Sequence, residues 1–329
     1  MRELTMREAI REGMREELKR DEKVFLMGEG TYSGGGSFGV AGPLGKEFGP
    51  ERVMNTPLSE TVIAGSAVGA ALAGYRPIAE IMFADFMFIC ADEIIQKMAK
   101  WRYAQGAQGG MKLPIVVRAS IGGGFGLGVE HSATPLAYFM HTPGLKIVVP
   151  STAYDGKGLI KTAIRDNNPV MFFEHKKVLN IKGPVPEEEY LVPFGVADVK
   201  RAGTDVTVVA IGLMVHYALQ AAEGFQKHGV SLEVIDPRTL EPLDMETILK
   251  SVKKTGRVVL VDEDTERCGS MAEIGWQISE NLFGQLKAPM KRVCAKNVPI
   301  PVSPPLEKAV LPQPDWVVKA VQEVLAYGK

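Results

Sequence analysis

The chain has 329 residues, enough for two ordinary domains at about 100–200 residues each. With 46% hydrophobic residues, 23% charged residues and a formal net charge of −1, its usage is that of a globular protein with a substantial core. That excludes disorder over most of the length and the strongly basic footprint of a nucleic-acid binder, and three widely spaced cysteines exclude a disulfide framework and a structural zinc site.

In chain order, Met1–Thr5 leads into a charged helical pattern without an apolar signal core, and no apolar run reaches the ~18 residues of a membrane span. The expectation is a cytoplasmic protein with no membrane segment. Thr5 and Glu8 have the spacing of a capping box, and Met6, Ile10, Met14 and Leu18 recur as an apolar stripe, so a helix starts there. Val24–Met27 reads as a short buried strand. Residues 28–50 form a long glycine-rich loop with one short helix before Phe48. Thr61–Gly74 reads as a helix whose small residues Gly65, Gly69 and Ala73 share a face, stopped at Arg76-Pro77. Strand Ile78–Phe83, helix Phe86–Tyr103, strand Ile115–Ala119, a second glycine loop at Gly122–Gly128, strand Ile147–Val149, a helix around Leu159–Ile164 and strand Val170–Phe173 follow. Such alternation predicts an α/β class with a mainly parallel, doubly wound sheet. Lys182–Pro193, with three prolines and three consecutive glutamates, marks a boundary. A second α/β series contains strands Val206–Ile211, Ser231–Ile235 and Arg257–Val261, and helices Val215–His228, Met271–Phe283 and Asp315–Leu325. The expected domains are 1–185 and 204–329, joined by a linker at 186–203.

Several motifs bear on chemistry. Gly34, Gly36 and Gly39 satisfy the dinucleotide fingerprint, and Gly35-Gly36-Ser37-Phe38-Gly39 satisfies GxSxG, the elbow of a serine hydrolase. Both need a tight strand–turn–helix, and neither has one here, so a flexible glycine loop near a ligand or interface is the better reading. Glu60 follows Thr56-Pro57-Leu58-Ser59 at the mouth of the small-residue helix. It is either a favourable first-turn acid behind a Ser59 cap or a functional carboxylate at a helix N-terminus. His131 ends the second glycine loop beyond a strand, where ligands bind in open α/β sheets, and is either a catalytic base or a local loop residue. Ala163–Pro169 ends a helix whose unpaired carbonyls, with Asp166 and Asn168, either form an ordinary stop or hold a monovalent cation.

Taken in order, Gly28-Glu29, Phe48–Val53, Thr56–Glu60, Ala64–Ala70, Phe83–Phe86, Glu130-His131-Ser132, Pro143–Lys146, Ala163–Pro169 and Asp236–Leu240 resemble one family. It is the β subunit of the thiamine-diphosphate-dependent decarboxylase component of 2-oxo acid and acetoin dehydrogenase complexes, and the resemblance covers nearly the whole chain. Phe83–Met87 and Glu174-His175-Lys176 look most like acetoin dehydrogenases. The resemblance implies an N-terminal parallel-sheet pyrimidine-binding domain of the thiamine diphosphate-binding fold and a C-terminal transketolase-like α/β domain. It implies that Glu60 hydrogen-bonds a pyrimidine nitrogen and activates the cofactor, that Phe86 packs on the pyrimidine, that the Leu58 backbone contacts the same ring, and that Glu29 lies near cofactor and subunit interface. It implies that His131 faces the reactive carbon, and that Ile115, Ala163, Ile164, Asp166 and Asn168 hold a structural potassium ion.

The Gly-Asp-Gly motif that grips diphosphate and magnesium is missing. In the resembled family it lies on a separate α subunit, so the expectation is half a site, completed in an α2β2 heterotetramer that acts on a small molecule and hands its acyl or aldehyde unit to a lipoyl-bearing acyltransferase. Within the family, pyruvate or branched-chain 2-oxo acids are the alternative substrates. Outside it, the rivals are a hydrolase using Ser37 and a scaffold subunit that only binds partners.

Overall fold

Thr5 accepts from the backbone N–H of Glu8 while the Glu8 carboxylate accepts from the N–H of Thr5, so the expected capping box starts the helix Met6–Arg20. That helix lies against the helix Ala153–Arg165, with Gly13 and Gly156 in the contact. A Cβ on Gly13 would stand 2.6 Å from Ile160 Cγ2, so only glycine allows this approach. The computed structural model describes residues 1–106 and 110–328 and divides into two compact units, 1–121 with 138–194, and 122–137 with 195 onward.

In the first unit, six parallel strands lie in the order Lys146–Val148, Val170–His175, Val116–Ile121, Arg76–Phe83, Val24–Gly28 and Val53–Asn55. The central strands are buried on both faces, as expected of a parallel sheet covered by helices. Two features depart from the sequence reading. Arg2–Thr5 and Lys182–Val185 pair antiparallel as a small separate sheet, where the sequence suggested no strand at either segment. The helix expected over Phe86–Tyr103 is three pieces: a 3-10 turn at Ala84–Phe88, a π-helical stretch at Asp92–Met98 and an α-helix at Ala99–Gly106.

In the second unit, the strands run Lys291–Ala295, Val258–Thr265, Val206–Ala210, Leu232–Asp236 and Asp198–Arg201, parallel except for the last. Residues 122–137, which the sequence reading placed in the first domain, belong with this unit, and residues 186–194 belong with the first. No helix among the described residues is long and apolar enough to cross a membrane.

Candidate active site

The carboxyl-terminal edge of the first unit's sheet gathers the acids that the sequence singled out. Strand Val24–Gly28 ends at Glu29, and Thr56 N–H donates to Gly28 O at 3.1 Å. Thr31 Oγ1 bridges Met54 O at 2.5 Å and Gly28 O at 3.1 Å. These bonds hold the Thr56–Ser59 turn, so that Glu60 is the first residue of the helix Glu60–Leu72. Ser59 makes no side-chain cap bond, so the capping half of the ordinary reading of this segment is absent. Glu60 is 9% exposed and makes no hydrogen bond or ion pair among the described residues. Buried carboxylates are normally paired, so this one is placed for something else.

Its neighbours carry its charge in their own ionisation. Glu29 is held above the usual carboxylate range by burial first, then by the like charges of Glu60 and Glu80. Burial, assisted by the charge of Glu60, pushes the Cys90 thiol up to about 12. The turn Ala84–Phe88 lies beside the same helix start, since Thr61 Oγ1 donates to Ile89 O at 3.1 Å and Cys90 Sγ lies 3.9 Å from Phe86 O. Phe86 meets Phe83 edge-on with centroids 5.6 Å apart. Leu58 is 78% exposed, so only its backbone is fixed by the turn.

Sequence reading missed what supports this edge. Glu80, Arg118 and Glu174 stand in three adjacent apolar strands, and the register sets Arg118 opposite Glu80. Arg118 bonds Glu80 at 2.7 Å and Glu174 at 2.6 and 2.9 Å, with all three residues buried. Glu80 also accepts from the N–H of Ser37 at 3.1 Å, which fixes the first glycine loop. Gly36 has φ +80, and a Cβ there would fall 2.0 Å from Glu80 Oε1. Ser37 Oγ faces Glu80 and Met82 O at 3.4 Å and no helix leaves it, so the hydrolase elbow is absent. A charged residue inside each of three apolar strand patterns was the available signal.

The residues expected to hold potassium lie at the opposite, amino-terminal edge of the same parallel strands. Val170 N–H donates to Ile115 O, and Asp166 N–H donates to Ala163 O at 3.2 Å. The Arg76 guanidinium donates to Ile164 O at 2.8 Å and to Asp166 O at 2.5 Å, while Lys146 pairs with the Asp166 carboxylate, which also accepts from Asn168. The five residues therefore converge, but positive charge is already present. A carbonyl has two lone pairs, so the set fits a monovalent ion shared with Arg76 rather than a divalent one. Among the described residues no cluster of three or more His, Cys, Asp or Glu side chains could hold a metal ion.

His131 lies in the second unit, on the loop 122–137. Its N–H donates to Gly128 O at 3.4 Å, and Gly122 N–H donates to Ala133 O at 3.2 Å, closing the loop. Three buried carboxylates hold this loop by its backbone. Glu263 accepts from Gly123 at 2.6 Å, Glu307 from Gly124 at 2.7 Å and Gly126 at 3.0 Å, and Asp264 from Ala137 at 3.1 Å. Sequence reading found none of the three.

The two folds match known domains in the same order. Residues 2–182 match the transketolase pyrimidine-binding domain, and residues 195–317 the transketolase C-terminal domain. A solved structure of a split-gene transketolase, an inactive beta4 tetramer, superposes with a TM-score of 0.79 at 25% identity over 99% of each chain. The 2-oxoisovalerate dehydrogenase subunit beta of Bacillus subtilis (strain 168) is 48% identical over 322 residues, 97% of this chain and 98% of that protein. The acetoin:2,6-dichlorophenolindophenol oxidoreductase subunit beta of Cupriavidus necator is 44% identical over 338 residues, 100% of this chain and 99% of that protein. The chain belongs to the family of 2-oxo acid and acetoin dehydrogenase β subunits, within the transketolase-like fold.

Proposed function

We propose that this chain is the β half of a thiamine-diphosphate-dependent oxidoreductase component that cleaves acetoin or a 2-oxo acid and passes the resulting unit to a lipoyl carrier. The observation that carries the reading is Glu60, a buried carboxylate with no hydrogen-bond or ion-pair partner among the described residues, at the first turn of a helix beside the Phe86 turn. A carboxyl in that state is suited to share a proton with a ring nitrogen. The bound cofactor would supply the carbon nucleophile that attacks the substrate carbonyl. Glu60 would hold and exchange a proton at the pyrimidine ring, Phe86 would pack on that ring, the Leu58 backbone would contact it, and Glu29 would line the same edge. His131 would move a proton at its imidazole during transfer.

The residues present fit the pyrimidine end of the cofactor and not its diphosphate. No Gly-Asp-Gly is present in the chain, and the carboxylates gathered at this edge repel an anion. An α subunit holding diphosphate and magnesium completes the proposal, in an α2β2 assembly serving a lipoyl-bearing acyltransferase. The identities to the 2-oxoisovalerate and acetoin relatives, 48% and 44%, support both substrate classes. The domain limits proposed remain 1–185 and 204–329 about a linker.

The test is hydrogen–deuterium exchange at the thiazolium carbon in the reconstituted αβ enzyme, read by proton NMR. Glu60→Gln keeps size but cannot exchange the proton, so it should assemble, bind cofactor and slow exchange by about 10²-fold or more. An unchanged rate would overturn the assignment of Glu60. Potassium at Ile115, Ala163, Ile164, Asp166 and Asn168 is proposed with it. At a hundredfold over its dissociation constant, potassium should stabilise the protein by about 2.7 kcal/mol and raise Tm above its value in sodium of matched ionic strength. Equal Tm values in the two salts would remove that site.

A further inference from the structure

Glu307 is 3% exposed and has no cationic partner among the described residues. What answers its charge is backbone. Its two oxygens take the N–H groups of Gly124 and Gly126, at 2.7 and 3.0 Å. Gly122, Gly124, Gly126 and Gly128 all have positive φ, at 92, 88, 66 and 77. Left-handed residues at every second position turn backbone N–H groups inward to form a concave anion nest. Here the anion is the protein's own side chain.

The glycines are also required by contact. A Cβ on Gly123 would stand 2.6 Å from Leu311 Cδ1 and 3.2 Å from Glu307 Oε1, and one on Gly128 would stand 2.5 Å from Val302 Cγ2. The run of glycines at 122–128, unexplained by composition, is therefore the imprint of the helix Pro304–Val310 and its flanks on the loop. His131 follows that imprint directly, with its N–H on Gly128 O. A buried charge held only by backbone dipoles is an expensive way to stabilise a fold and a stiff way to hold a loop.

We propose that Glu307 is a positioning residue: seated in the nest of Gly124 and Gly126, it sets the loop that carries His131. The inference rests on the role assigned to His131 above. It predicts that Glu307 affects turnover through His131 and leaves cofactor binding alone.

The experiment compares wild type, Glu307→Gln, His131→Ala and the double variant in the reconstituted αβ enzyme. The amide of Glu307→Gln turns one oxygen into a donor that faces an N–H, so one nest bond is lost. Deuterium uptake of a peptide covering 122–132 should accelerate by about tenfold or more. The kcat for lipoyl reduction should fall by about ten- to a hundredfold, with the apparent affinity for cofactor within about twofold of wild type. In the His131→Ala background the same substitution should cause no further loss. Glu307→Asp, which keeps the charge at shorter reach, should show the same changes in smaller measure, and it serves as the variant if Glu307→Gln does not fold. Unchanged loop exchange would overturn the proposal, as would an equal loss of kcat with and without His131. A His131→Ala enzyme at wild-type rate would instead overturn the assignment of His131. His131→Ala impaired with Glu307→Gln at wild-type rate would overturn the positioning role alone.

Discussion

Glu60, Glu307 and Glu80 are all buried carboxylates, and they differ in what answers their charge. The Glu60 carboxylate has no partner among the described residues, Glu307 has backbone N–H groups, and Glu80 has Arg118. On the proposals above the first awaits a ligand and the second holds a loop, while the third belongs to a fixed ionic unit in the sheet. That unit predicts a large mutational cost. Arg118→Met keeps much of the volume but leaves Glu80 and Glu174 buried without their counter-charge, and should destabilise by about 3–5 kcal/mol in urea unfolding. A loss below about 1 kcal/mol would mean that the triad is not the closed set seen here. Asp262 and Asp264 predict a pH dependence. Burial pushes Asp262 up to about 6, with the charge of Glu263 adding to it, and Asp264 up to about 7, with the charge of Asp262 adding to it. An acid whose folded pKa lies above its unfolded one holds a proton in the folded state that the unfolded chain has lost. Its stabilisation is complete at low pH and disappears as pH rises through the folded value. The pair should therefore lower Tm between about pH 4 and about pH 7, and Asp262→Asn should flatten that part of the profile. The same slope in wild type and variant would show that the pair does not titrate in that range.

At the scale of elements, local patterns were legible and distant partnerships were not. The capping box at Thr5 and Glu8, the helix after Glu60 and the strand ending at Phe83 followed from short-range spacing, and each forms within about two residues of its expected limits. The pairing of Arg2–Thr5 with Lys182–Val185 did not, because each strand is a few residues long and its partner lies far along the chain. The helix Met245–Thr255 went unread although Asp244 caps it and Gly256, at φ 70, ends it, a signal that was present in the sequence. The stretch from Ala84 to Gly106 kept its helical period but not its regularity, and the irregular part lies against the start of the Glu60 helix. Candidate site residues were read because they are exceptions to local pattern. Their supports, Glu80, Glu263 and Glu307, act across a sheet or from a distant helix; a charge inside an apolar strand marks Glu80 as unusual, but nothing short-range names the partner of any of the three. The two glycine loops illustrate this: Gly36 leaves room for the Glu80 carboxylate, and Gly123 for Leu311 and the Glu307 carboxylate, all from distant parts of the chain. Gly36→Ala tests it in the first loop. Positive φ and the 2.0 Å approach to Glu80 Oε1 should together cost about 1–3 kcal/mol, measured by chemical denaturation. Stability equal to wild type would show that the loop does not need Glu80.

At the scale of the molecule, the chain carries chemistry that it cannot complete alone. Near the start of the Glu60 helix exposed side chains are apolar: Leu58, Val62 and Ile89 are 78%, 60% and 62% exposed, with Phe88 next to Ile89 in the chain. Exposed apolar groups clustered at a polar site mark a face that another chain covers. The same edge is anionic: burial first, and then the charges of Glu60 and Glu80, hold the Glu29 carboxyl above its usual range. On the proposal above, thiamine diphosphate would meet this edge with a pyrimidine that the carboxylates can bind and a diphosphate that they would repel. Nothing in the chain resembles the Gly-Asp-Gly that would overcome that repulsion with magnesium. Affinity must then come from the α partner, and the two halves should bind cofactor only together. Titration calorimetry on the isolated chain with magnesium should give a dissociation constant weaker than about 1 mM, and addition of the α chain should bring it below about 10 μM, a gain of about 3 kcal/mol or more. Ile89→Arg, which places a charge on the uncovered face without touching Glu60, should leave the isolated chain folded and abolish that gain. Micromolar binding by the isolated chain at one site per chain would mean that the site is whole in this polypeptide, and the division of labour argued from the missing motif would be wrong.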